Sequence, residues 1–359
     1  MKLNYEEKKQ EIIEWLMHPS ELGCEPAAIE FTKEFTDEDG IQCLIYKYKK
    51  TKKSPWLLAI ASDSGIFSEM QEYEEDTQVE DAKELINFLK EYWKNAANKE
   101  MEREERRKEA EHFHAFVLLK EPEFDYEAFE TSFSKEWKMN LTSEEDKESE
   151  EESKEDIDTK IYDVDSMRIV VGYMGFPVPN EEAEYNAQYN YMWKDAVEVT
   201  KTHQAHILVA ILGEGSFEEK GILYAKVITT LCRESNILGV YANGVVYEPR
   251  FILAMSEIIE AGELPIFDLV WFGLAREEDG VSAYTCGMTC FGKDEIEIVN
   301  SQETPSDIRD LLISIAEYVI TEDVLLHDGE TIGFSNEQRL KIVRSEGVNV
   351  ENESLKIIF

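Results

Sequence analysis

The sequence predicts an α+β protein of two domains. A small N-terminal α-β-β-β-α domain is expected over residues 1–95, and a larger α+β domain with a mixed or antiparallel sheet over residues 112–359. Three observations carry this. Stretches of period two follow one another across short turns, so successive strands form hairpins, unlike the strand–helix alternation of a doubly wound sheet. Helical stretches of period 3.6 separate groups of strands. At 359 residues the chain is longer than one ordinary core requires, and its 17 Phe, 16 Tyr and 6 Trp suffice for real cores.

In the first domain, residues 6–17 place Ile12, Ile13, Trp15 and Leu16 at helical spacing. Residues 28–35, the alternating 41–48 (IQCLIYKY) and the apolar run 56–62 (WLLAIAS) predict a three-stranded antiparallel meander. Residues 79–93 follow as a helix with Ala82, Leu85, Ile86, Leu89 and Tyr92 on one face. Residues 96–111 have almost no large apolar side chains and interleave both charge signs, which describes a charged helical linker. It has no a/d stripe for a coiled coil.

The second domain opens with a strand at 113–119 and a helix at 126–137 bearing Phe129, Phe133 and Trp137. Residues 143–158 hold ten acids and two lysines, which predicts a disordered acidic insertion or, on a sharper reading, a docking arm for a basic partner. Two short strands are expected between residues 160 and 174. The connector 175–180 (GFPVPN) is stiffened by Pro177 and Pro179. Helices at 191–202, 217–233 and 249–261 alternate with strands at 206–212 and 239–246. A strand pair at 267–275 and 281–290 and a strand at 295–299 come next. A helix begins at Thr304-Pro305-Ser306-Asp307, a cap, a first-turn proline and an acid against the helix dipole. The order β-α-β-β-α-β over residues 113–212 matches a ferredoxin-like unit.

These segments also carry a resemblance. FVLLKEP (116–122), MGFPVPNEEAE (174–184), YMWKDAVEVTKTHQAHILVAILG (191–213), GVYANGVVYEP (239–249), SAYTCGMTCFGKDEIEI (282–298) and LLHDGETIGF (325–334) occur in the order found in a bacterial family. From about residue 113 to 348 the chain resembles that family, domain of unknown function 4261. The resemblance implies fold and domain limits. Its name assigns no activity, so no catalytic residue follows from it, and residues 1–95 lie outside it.

The formal charge is −40, from 77 acids against 37 bases. Such a chain repels phosphate backbones and anionic bilayers, so neither nucleic acid nor membrane is the expected partner. No apolar run reaches membrane-spanning length, and the charged start MKLNYEEKKQ lacks a signal-peptide core, so the expected compartment is the cytoplasm. Five cysteines, Cys24, Cys43, Cys232, Cys286 and Cys290, are too few and odd in number for a disulfide scaffold.

No assembled catalytic motif is visible. His203 and His206 lie three apart, a metal-ligand spacing on a helix, but the chain passes from helix to strand between them. His112 and His114 share a strand face without nearby carboxylates. Cys286 and Cys290, at the ends of one strand, would stand about 13 Å apart. Gly213-Glu214-Gly215-Ser216 sits where a phosphate loop would, but lacks its third glycine and lysine, and reads as a turn with Ser216 as helix cap. Asp294, Glu295 and Glu297 open a strand as solvent-facing acids or as a carboxylate pair. The expectation is therefore no cofactor and no metal. The catalytic candidates are His206, Tyr284, Cys286 and Asp294, provided their strands converge. Tyr185, Tyr189, Tyr191 and Trp193, beside the stiff connector, suit a partner surface.

The leading expectation is a cytosolic, non-catalytic protein-binding factor, immunity-like or inhibitory, whose negative field attracts a basic protein. The alternative is an enzyme with a pocket in the C-terminal domain. Nucleic-acid mimicry ranks last, because the acids spread over both domains.

Overall fold

The computed structural model describes residues 4–18, 21–68, 70–143, 157–276, 279–335 and 338–359. The chain divides into two compact units, Met1–Glu102 and Arg103–Phe359. Most of the acidic run at 143–158 lies outside the described residues.

In the first unit, helix α1 (Tyr5–Leu16) starts on the Asn4 side chain, which accepts the Glu6 amide. Strands β1 (Ala28–Thr36), β2 (Gln42–Lys49), β3 (Leu57–Ser62) and β4 (Gly65–Phe67) form one antiparallel sheet in sequence order. The expected meander thus has a fourth, three-residue strand. Helix α2 (Gln78–Glu109) closes the unit and continues through most of the charged stretch 96–111. The two faces of the sheet carry separate cores: Ile12 and Leu16 of α1 pack on one, Ala82, Leu85, Ile86 and Leu89 of α2 on the other. That is why every residue of β3 is buried and its sequence is apolar without alternation. Tyr92, placed on the core face by spacing, is 61% exposed.

The second unit contains β5 (His114–Leu119), α3 (Tyr126–Trp137), β6 (Thr142–Ser143), β7 (Ile157–Val164), β8 (Met167–Met174), α4 (Glu182–Ala187), α5 (Ala196–Thr200), β9 (Ala205–Gly213), α6 (Phe217–Cys232), β10 (Ile237–Ala242) and β11 (Val245–Tyr247). It continues with α7 (Pro249–Ala254), α8 (Ser256–Glu260), α9 (Ile266–Leu269), β12 (Trp271–Arg276), β13 (Val281–Cys286), β14 (Ile296–Ser301), α10 (Pro305–Thr321), β15 (Thr331–Ile332), β16 (Leu340–Glu346) and β17 (Glu353–Ile358). A seven-stranded antiparallel sheet runs β11-β10-β5-β9-β8-β7-β6. A six-stranded sheet runs β12-β13-β14-β17-β16-β15 and is mixed, because β14 and β17 are parallel. One continuous core joins the two sheets through α3, α6 and α10. The α+β class is as the sequence predicts.

The ferredoxin-like wiring is not. In a split βαβ one strand lies between the two that the helix connects. Here β5 and β7, joined through α3, are separated by both β9 and β8, and so run antiparallel. The cause lies in the short helices α4 and α5. They pack with Leu118, Tyr241 and Val246 on the face opposite α3, and β9 then enters directly beside β8. The helix expected at 191–202 shrinks to α5, while α4 forms just after the connector. Residues 267–269, expected as strand, are the helical turn α9, and β13 stops at Cys286 instead of reaching Cys290.

The loop at Gly213 is structural. Gly213 has φ +95°, and a Cβ there would stand 2.5 Å from the Ser166 carbonyl oxygen. Ser216 caps α6 in a reciprocal box with Glu219. Gly213→Ala is expected to destabilise the unit by about 1–3 kcal/mol, measured by denaturant unfolding. An unchanged midpoint would contradict this reading.

Candidate functional site

A broad concavity of about 920 Å³ lies in the second unit. Its lining comes from six separate stretches, one of them Leu274 and Ala275 of β12. Glu111 and His114 precede or open β5. Glu182, Tyr185, Asn186 and Tyr189 lie on and after α4. Tyr241, Asn243 and Gly244 come from the β10–β11 hairpin. Tyr284, Cys286 and Glu295 come from β13 and the approach to β14. Residues 348–352 form the turn before β17.

The hairpin owes its shape to Asn243-Gly244, both at positive φ, 51° and 68°. The Asn243 side-chain amide donates to the Leu269 carbonyl at 3.0 Å and fixes the hairpin to the end of α9. The Tyr241 hydroxyl donates to Glu182 Oε1 at 2.7 Å and accepts from Asn186 Nδ2 at 3.0 Å. Tyr185 and Tyr189, one helical turn apart, are linked through their hydroxyls at 3.0 Å with rings nearly perpendicular. Tyr284 lies across Gly273: a Cβ at 273 would stand 2.2 Å from Tyr284 Cζ. Burial pushes the Tyr284 phenol up to about 12.

Two glutamates hold the rim. Glu295 accepts the Thr285 hydroxyl at 2.6 Å and the amides of Gly287 and Met288 at 2.7 and 3.0 Å, closing the tight turn after β13. Burial raises its carboxyl above the usual range against the pull of these donors. Glu297, fully buried, accepts the amides of Val348 and Asn349 at 3.1 and 2.7 Å, the Ser354 hydroxyl at 2.6 Å and Lys356 Nζ at 2.7 Å. Burial alone would raise this carboxyl; Lys356 and the other donors outweigh it and hold it below the usual range. Glu297 and Lys356 are register partners on β14 and β17. The pair pins the turn that supplies Val348 to Asn352 to the cleft.

Of the catalytic candidates, Tyr284 and Cys286 line the cleft; His206 and Asp294 do not. The Cys286 thiol is raised well above its usual value by burial. Asp294 receives two nitrogens from each of Arg106 and Arg344, at 3.1, 3.2, 2.9 and 2.5 Å. Burial opposes its charge, and the two guanidinium groups overcome that and lower its pKa. The histidine pair at 203 and 206 holds the proline-stiffened connector. The Val178 amide donates to His203 Nε2 at 2.9 Å, so the ring proton sits on Nδ1, 2.6 Å from the Thr200 carbonyl. His206 Nδ1 lies 2.8 Å from the Phe176 carbonyl, with the ring edge-on to Phe116 and Phe176. Of the aromatic candidates, Tyr185 and Tyr189 face the cleft, Tyr191 lines a separate apolar pocket, and Trp193 packs on the core beside α5.

Glu182, Tyr241 and Glu351 belong to the cleft and were not singled out by sequence; Asn243-Gly244, inside the stretch 239–246 expected as one strand, folds instead as a hairpin turn and was the local signal that could have pointed there. The lining carries four carboxylates, Glu111, Glu182, Glu295 and Glu351, and four tyrosines, with no lysine or arginine. Among the described residues, no group of three or more His, Cys, Asp or Glu is placed to hold a metal ion, and no helix is long and apolar enough to cross a membrane.

Residues 284–358 match the family model of Domain of unknown function (DUF4261). The match begins at Tyr284 and takes in Cys286, Glu295, the Glu297–Lys356 pair and the 348–352 turn. It meets the C-terminal part of the resemblance read over 113–348. No curated protein and no solved structure matches the chain.

Proposed function

We propose that the protein is a cytosolic bacterial factor that acts by binding rather than catalysis, masking a basic protein partner in an immunity-like or inhibitory role. The observation that carries this reading is the composition of the cleft: four carboxylates and four tyrosines around about 920 Å³, with no lysine or arginine. Exposed Glu111, Glu182 and Glu351 supply charge-assisted acceptors for arginine and lysine side chains, while Glu295 closes its own turn, and tyrosine faces attract cations. The net charge of −40 adds a long-range field that speeds encounter with a basic surface. A catalytic role for the cleft has less to draw on: burial favours the protonated forms of the Cys286 thiol and the Tyr284 phenol.

The test is titration of the full chain with an arginine-rich peptide, comparing Glu182→Gln and Glu351→Gln with Glu198→Gln, a highly exposed control outside the cleft lining. Each cleft variant is expected to weaken binding about two- to fivefold, and added salt to weaken it further. Equal losses in all three variants would mean that net charge alone binds the peptide, and the cleft reading would fall.

A further inference from the structure

A second concavity, about 240 Å³, lies where α7, α9, β12 and α10 meet. Its walls are Phe251, Phe267, Phe272 and Ile313, with Trp271 behind them. Tyr191 stands at its edge, 41% exposed, and its hydroxyl donates to the Phe272 carbonyl at 3.0 Å. Arg309 is the one charged residue among those lining the pocket. Its guanidinium lies beside the Tyr191 hydroxyl and reaches exposed Asp310 at 3.4 Å. Its Nε, shut off from solvent, has no acceptor in hydrogen-bonding geometry. A buried donor without an acceptor is unfavourable by itself and favourable for any acceptor that reaches it.

We propose that this pocket binds the apolar tail of an amphipathic monocarboxylate, whose carboxylate is received by Arg309 at the mouth. The volume equals roughly eight water-sized spaces, enough for a chain of about seven carbons with the head group outside. The cation decides the head group. The surrounding negative field opposes an anion, but beyond about 8 Å that field is screened at physiological ionic strength, whereas the Arg309 contact is direct. The site is distinct from the acidic cleft and takes a ligand of the opposite charge.

The experiment is calorimetric titration of the full chain with octanoate, 1-octanol and acetate, together with methyl resonances of Met192, Met255 and Ile313. Octanoate is expected to bind saturably at one site and to shift those methyls. Octanol should bind at least about tenfold more weakly, and acetate should not bind measurably. Arg309→Gln, at a half-buried position of α10, should reduce octanoate to the level of octanol. Equal binding of octanoate and octanol, no saturation by about 1 mM, unshifted methyls, or an unaffected Arg309→Gln variant would each overturn the assignment.

Discussion

Asp268→Leu is expected to stabilise the larger unit, by about 1–3 kcal/mol near neutral pH. Asp268 is 1% exposed, and neither carboxyl oxygen has a hydrogen-bond partner. It lies in α9 in the field of the Tyr224 and Tyr247 hydroxyls and the Cys232 thiol, all raised by burial. Burial pushes the Asp268 carboxyl well above its usual value. An acid whose folded pKa is raised gives its full stability below the unfolded value of 3.8 and loses it as pH rises toward the folded value. Asp268 should therefore subtract stability from the native chain as pH increases above about 4, and the leucine variant should lack that component. Urea midpoints of both chains between pH 4 and pH 8, read by a probe in the larger unit, check this. A variant less stable at every pH, or one with the native slope, would refute it.

Lys356→Met should have the opposite effect and a larger one. It removes one member of a buried ion pair and leaves Glu297 charged in the core, a loss of about 3–5 kcal/mol. The Glu297 carboxyl is held below its usual value, so its contribution is present above the unfolded pKa and lost as pH falls through the folded one. With Lys356 gone, acid unfolding should begin at higher pH. The amides of Val348 and Asn349, bonded to Glu297 at 3.1 and 2.7 Å, should exchange with solvent faster. Unchanged protection of those two amides would show that the pair does not hold the turn.

Local chemistry was legible where a few neighbouring residues decide the outcome. Thr304-Pro305 starts α10 as read, and the Thr304 side chain accepts the Asp307 amide. Alternation and apolar runs placed β2, β3, β9 and β14. What stayed hidden depends on contacts distant in sequence. Strand order around β9 follows from which face α4 and α5 cover, and no residue near β9 encodes that. The cleft draws on residues from 111 to 352, so no local motif announces it. Glu295 and Glu297 read as solvent-facing acids because charged residues at a strand start usually are. Their alternation with Ile296 and Ile298 fits that reading as well; only the fold, which covers both faces of β14, shows that Glu297 has to be bonded rather than hydrated. Asp294 is one residue earlier and meets two arginines, Arg106 and Arg344, that lie far from it in sequence.

The ring of Tyr284 over Gly273 ties two positions into one evolutionary unit. β12 is an edge strand, where a bare glycine is a weakness, and the aromatic cover repairs it. While the ring remains, no larger side chain fits at 273; once it is replaced by a small residue, 273 is free to become β-branched and strengthen the strand unaided. Diverging descendants of this chain should therefore keep glycine with an aromatic, or exchange both together, and those that exchange both would surrender part of the cleft wall in return for a firmer sheet border.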